Sequence, residues 1–232
     1  MTSLLSLLRW DLMRQVRHGF WLAAVFVMVP SMAVILSVSH KLALQFLPAF
    51  IFFELSVTGT LFIAAMFFFE KREGSLFAVA VTPVPTWQWL ASKLVSLTLL
   101  GTVMSLALVA LKLGLNAPWG KVLLASVCVN ALCTLAGFLC AVPFDKFNDF
   151  FVAFAFMFLV LELPGLAFFG IHTPFFWLIP TQPTMEMLRH TFTGISWARF
   201  SVLLLLQFVW IAAAFALSLR AFRRFVSERK GG

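Results

Sequence analysis

The sequence predicts an all-α integral membrane protein, and three observations carry that reading. Runs of apolar residues recur along the chain, each long enough to cross a hydrocarbon layer of about 30 Å. Of 232 residues, 62% are hydrophobic and only 11% are charged, and the mean hydropathy is +1.01. A single soluble core of this length does not hide that much apolar surface. The runs are continuously apolar rather than alternating, so helices, not barrel strands, satisfy the backbone in lipid.

Residues 1–18 open the chain with TSLLSLLRWDLMRQVR over 2–17. Leu4, Leu5, Leu7, Leu8, Leu12, Met13 and Val16 recur near helical period, with Ser6, Arg9, Asp11, Arg14, Gln15 and Arg17 between them. An apolar stripe beside a basic face predicts a helix lying in the membrane interface; the alternative is a cytoplasmic extension of the first span. Six spans follow, at 20–38, 47–69, 91–113, 121–142, 150–170 and 199–219. The segment 20–38 reads as a retained first span rather than a cleaved signal, because five more spans follow it. No Gly/Ser-rich linker and no internal repeat interrupts the series, so residues 1–232 form a single domain.

Loops are read the same way. VPFDKFNDFF at 142–151 is a short turn, with Asn148 or Asp149 expected to cap the fifth span; Asp145, Lys146 and Asp149 offer, alternatively, a small contact for a partner. The segment 171–198 carries three prolines yet also Phe175, Phe176, Trp177, Leu178 and Ile179 in a row. That mixture predicts short helices or a re-entrant piece rather than a freely solvated loop.

An even number of spans puts both termini on one side. With the termini in the cytoplasm, the inner segments hold twelve of the 17 Lys and Arg residues, and the outer segments and span ends hold five. The tail RAFRRFVSERK contributes most. This asymmetry predicts cytoplasmic termini and a multi-pass protein of the cell (inner or plasma) membrane. The formal net charge of +8 then reflects basic loops facing anionic lipid, and calls for no nucleic acid. Seven of the eight tryptophans fall near predicted span ends, Trp210 being the exception, as in an aromatic belt. Cys128, Cys133 and Cys140 share one apolar run without metal or redox spacing and read as small buried residues.

One stretch interrupts the apolar pattern. In FEKREGSLFAVAVTPVPTWQ, residues 69–88, four charges follow Phe69 and stop the second span. Gly74 lets the chain turn, Ser75 is placed to cap a new helix, and Leu76 to Val81 form its body. Pro83 and Pro85 end it, and Trp87 and Trp89 return the chain to the interface. The product is a helix of about two turns, held between two spans.

EKREGSLFAVAVTP, residues 70–83, resembles the E-R-E-x-G-S/T-L-x-x-L-x-V-S/T-P stretch of ABC-2 type transporter permeases, departing from it at Val79 and Ala80. FWLIPTQPTMEMLR is similar to the outer segment of the small ABC-2 permeases linked to fluoroquinolone export. The resemblance implies one ABC-2 type transmembrane domain whose segment 70–83 is a coupling helix. Glu70, Lys71, Arg72, Glu73, Gly74, Ser75, Leu76, Phe77, Thr82 and Pro83 would meet a separate ATP-binding cassette subunit, two copies per complex. That subunit would bind ATP and Mg, and this chain no cofactor. A second copy of the chain, or a related permease, would complete the pore in the lipid bilayer. The implied task is export of a hydrophobic or amphipathic small molecule, a drug or natural product.

The chain has no G-x-x-x-x-G-K-S/T, H-E-x-x-H, G-x-S-x-G or C-x-x-C motif, so no nucleotide hydrolysis or metal chemistry of those kinds is expected of it. His18, His40, His172 and His190 are scattered. Two acids stand inside spans: Glu54 in FFELSVTG and Glu162 in LVLELPG. An ionisable group there is costly, so it marks a path or fastens two helices. Glu54 and Glu162, with Phe53, Met66 and Phe158, are the candidate lining of a substrate path. Pro164 frees a backbone carbonyl beside Glu162 and predicts a kink. The rival readings are a haem-export or cytochrome-maturation permease, which needs placed histidines, and a motor-free channel or scaffold. The latter leaves the proline-bounded helix without a role.

Overall fold

The computed structural model describes residues 2–76, 84–171 and 173–228, and among them every regular element is helical. Helix α1, Thr2–Arg17, is followed by α2, Phe20–Ser37, and α3, His40–Arg72. Then come α4, Thr86–Leu113, α5, Trp119–Ala141, and α6, Phe147–Glu162. Two 3-10 pieces, Leu163–Phe169 and Pro174–Leu178, lead to α7, Gln182–Thr191, and α8, Trp197–Glu228, closes the series. Six of these segments are long and apolar enough to cross a membrane, so the chain is an all-α membrane protein.

The spans agree with the hydropathy pattern, but several helices outrun it. Helix α3 begins at His40 rather than near 47, and it carries Pro48 inside it. It also runs through Glu70, Lys71 and Arg72. Those charges were expected to stop it; the break comes instead at Gly74, whose φ of 71° closes the turn. The fifth span does kink: α6 gives way to 3-10 geometry directly after Glu162, with Pro164 in its first turn. The Leu161 carbonyl left at that junction accepts a hydrogen bond from Thr181 Oγ1 at 2.7 Å. Neither Asn148 nor Asp149 caps α6: the helix already begins at Phe147, so both lie in its first turn, and the cap position is Lys146, without a side-chain bond.

Helices α3 and α5 form the centre, each with 72% of its span window buried, against 17% for α8. Small residues let them touch. A Cβ added at Gly137 would meet the Thr60 Cα at 2.5 Å, and one at Gly59 would meet the Thr134 nitrogen at 3.0 Å. Close backbone approach of this kind is how helices associate where lipid supplies no hydrophobic drive. Buried hydroxyls bond back along their own helices, Thr58 to the Glu54 carbonyl and Thr60 to the Ser56 carbonyl. Large apolar side chains such as Leu22, Phe26, Phe156 and Val209 point outward, where lipid is the solvent.

The segment between the fifth and sixth spans folds back as the prolines suggested. Most of α7 is buried, packed against α3, α5 and α8. Lysines tie helix ends together on this side: Lys112 Nζ donates to the Val38 carbonyl at 2.9 Å, and Lys121 Nζ to the Ile195 carbonyl at 2.6 Å.

Candidate functional site

The two terminal helices meet the ends of α3 and α4 at one end of the bundle, and a buried charge cluster joins three of them. Lys93, 1% exposed on α4, places Nζ 2.9 Å from Asp11 Oδ1 of α1 and 2.5 Å from Glu70 Oε1 of α3. Arg14 of α1 reaches the same Glu70 oxygen at 2.6 Å. The second Glu70 oxygen accepts from Trp89 Nε1 at 3.1 Å, and Ser92 donates to Asp11 Oδ2. Two carboxylates thus face two cations, with two further donors filling the remaining lone pairs.

Burial of charge on this scale is tolerated only when partners and hydrogen bonds are complete; Asp11, Glu70 and Lys93 are shut in, and Arg14 opens to the surface. Among the described side chains of α1, Asp11 and Gln15 are buried, while Leu5, Trp10 and Val16 are exposed. The helix thus turns two polar residues to the protein and leaves Leu5, Trp10 and Val16 open, while Leu4, Leu7, Leu8 and Leu12 are half-buried. An aromatic layer backs the cluster. Trp89 stacks on Phe222 of α8 at 4.2 Å, and Phe138 of α5 meets Phe222 edge-on at 5.9 Å.

This cluster frames the predicted coupling segment. Glu70 is turned inward, buried, and committed to α1 and α4. Lys71 pairs with Asp145 at 2.6 Å and donates to the Phe144 carbonyl at 2.8 Å, which ties α3 to the turn before α6. Arg72 and Glu73 are exposed, and Glu73 lies 3.9 Å from His18. Ser75 Oγ donates back to the Glu70 carbonyl at 3.2 Å and does not act as a helix cap. Helical backbone resumes at Ser75 and Leu76, and Leu76 is buried. Phe77, Thr82, Pro83 and the predicted helix body lie outside the described residues, as does His172.

The five predicted path residues are not gathered in one place. Phe53 and Phe158 pack edge-on at 5.8 Å, joining α3 to α6. Glu54 is buried and faces Ser31 of α2, yet neither oxygen completes a hydrogen bond among the described residues. Glu162 faces Ser56 of α3, whose hydroxyl also takes the Cys133 thiol at 3.6 Å. The buried Oε1 of Glu162 is likewise unsatisfied among the described residues. Met66 is buried in the core, about 18 Å along α3 from Glu54 by helical rise.

Sequence reasoning missed Glu70's partners, Arg14, Trp89 and Lys93, and the second acid, Asp11, that shares Lys93. One signal was available. Lys93 stands alone in ASKLVSLTLL, and a lysine inside an apolar span requires an acid from another helix.

Comparison with known proteins adds two findings. The model of the fluoroquinolones export permease protein family matches residues 2–230. Fluoroquinolones export permease proteins from two strains of Mycobacterium tuberculosis, CDC 1551 / Oshkosh and ATCC 25618 / H37Rv, are each 29% identical over 235 residues. Those alignments cover 100% of this chain and 99% of each relative.

Proposed function

Because the chain belongs to the fluoroquinolones export permease protein family, we propose that it is the transmembrane half of an ATP-driven exporter of hydrophobic or amphipathic small molecules. The motor is a separate ATP-binding cassette subunit, present in two copies and carrying the ATP and Mg. A second copy of this chain or a related permease completes the pore, and both termini face the cytoplasm.

The observation that carries this reading is the Asp11–Lys93–Glu70–Arg14 cluster. The coupling segment springs from the end of α3 and returns at the start of α4. The cluster clamps these two ends to each other and to α1, so a push on the segment between them is passed on as rigid-body motion. Helix α3 is one of the two central helices, so its displacement reaches the core of the bundle. Exposed Arg72 and Glu73 supply the charges that meet the motor, while Glu70 and Lys71 act inside the permease to hold the frame.

Glu54 and Glu162 suit a cargo path, since each keeps unused acceptor capacity on an interior face. A cargo bearing a cationic group would supply the missing donor. Phe53 and Phe158 offer apolar surface beside them.

The test is isolation of the tagged full chain from its native membrane in mild detergent, with mass spectrometry of what accompanies it. The expected companion is a P-loop ATPase, recovered with the parent and lost with Gly74→Pro/Leu76→Asp. Absence of any ATPase across several detergents, or equal recovery with the double variant, would overturn the coupling reading. A related permease in the same eluate would identify a heterodimer.

A further inference from the structure

We propose that the recess between the end of α3 and the start of α6 binds an anionic phospholipid of the adjacent leaflet. The recess, of about 630 Å³, is walled by Ala65, Phe68 and Phe69 of α3 and by Phe147 at the start of α6. Phe68 meets Phe147 edge-on at 5.7 Å and closes its back. Its rim carries Lys71, Arg72 and Lys146 against Asp145.

The rim charges are not balanced. Lys71 is held by Asp145 at 2.6 Å and by the Phe144 carbonyl at 2.8 Å. Arg72 and Lys146 are exposed, and among the described residues neither has a salt bridge or a side-chain hydrogen bond; Arg72 stands only over the Phe69 ring, at 6.0 Å. Two surplus cations above an aromatic wall fit a ligand with an anionic head and an apolar body. Basic pockets between spans on the cytoplasmic side recognise acidic lipid headgroups in this way.

The wall identifies the body. Phe69 and Phe147 are themselves exposed and open the recess sideways. The apolar track then continues along α6 to exposed Phe151, 6.4 Å from Phe147. A long acyl chain can follow that track toward the middle of the span, whereas a compact aromatic acid needs a closed slot. Arg72 also belongs to the proposed docking segment, so binding is read on the chain without any ATPase.

The experiment is native mass spectrometry of the purified full chain titrated with phosphatidylglycerol or phosphatidylcholine of matched chains. Phosphatidylglycerol is expected to bind about thirtyfold tighter, the effect of two cations beside one anionic headgroup. Arg72→Gln/Lys146→Gln is expected to bring that ratio below about threefold by the same reasoning, with unchanged thermal unfolding. Arg9→Gln/Arg17→Gln, which removes exposed cations of α1, is expected to leave the ratio intact. Equal binding of both lipids, an unchanged ratio in the first variant, or the same loss in the second would each overturn the proposal. Displacement of phosphatidylglycerol by 2-naphthoate but not by glycerol phosphate would also overturn it, in favour of a compact-acid slot.

Discussion

Glu70 and Glu54 stand on the same helix, each 4% exposed, and their surroundings are opposite. Glu70 accepts from Lys93, Arg14 and Trp89. Glu54 has two oxygens without a hydrogen bond among the described residues. Burial alone therefore says little about what an intramembrane acid does. A fully partnered carboxylate holds helices in place, and its removal costs stability. A carboxylate with acceptor capacity left over has something to offer a ligand.

The largest expected effect breaks the partnered end. Lys93→Met leaves Asp11 buried without a cation and Glu70 with Arg14 as its one remaining cation, and is expected to cost about 3–5 kcal/mol, measured by unfolding in detergent. Adding Asp11→Asn to it should recover most of that loss, because the remaining Glu70–Arg14 pair is balanced and no orphan charge is left. If Lys93→Met unfolds like the parent, the two acids are not different in kind.

Next comes the unpartnered end. Glu54→Gln removes no completed hydrogen bond among the described residues, so unfolding should be unchanged, while export of a cationic amphiphile should fall about tenfold, the size of one charged contact. Glu162→Gln should behave alike but more weakly, about threefold by the same scale, because only one of its oxygens is buried and unsatisfied. Normal export by both variants, with normal yield, would remove the path role and leave these acids as helix fasteners.

The smallest effect refines the first comparison. Ser92→Ala takes one donor from Asp11 while leaving Lys93 in place, and should cost about 1 kcal/mol without changing export. A far larger loss would mean that the hydroxyl, rather than the ammonium, sets the position of Asp11.

The legible part of the site was the part built from neighbours in the chain. FEKREG announces a span end and Gly74 a turn; the turn stands in the structure, while the helix runs on through the charges to Arg72. The direction in which each charge faces was not legible. Glu70 and Lys71 look, in sequence, as available to a partner subunit as Glu73, yet the fold consumes both internally. Two prolines inside spans act differently. Pro48 sits inside α3, where the bundle tolerates it, whereas Pro164 does convert helix to 3-10 geometry.

By itself the sequence determined the membrane class, the six spans, the interfacial first helix and the polar interruption between the second and third spans. Those features are sums over adjacent residues: hydropathy over a span length, helical period, a glycine or proline at a boundary. Tertiary structure alone decided which helices are central, that α7 returns into the bundle, and which acids find partners. Asp11 and Lys93 are 82 residues apart, and their meeting depends on how α1 and α4 are rotated and packed. No local pattern encodes that rotation; close approach at Gly59 and Gly137, and the cost of leaving a buried charge alone, set it.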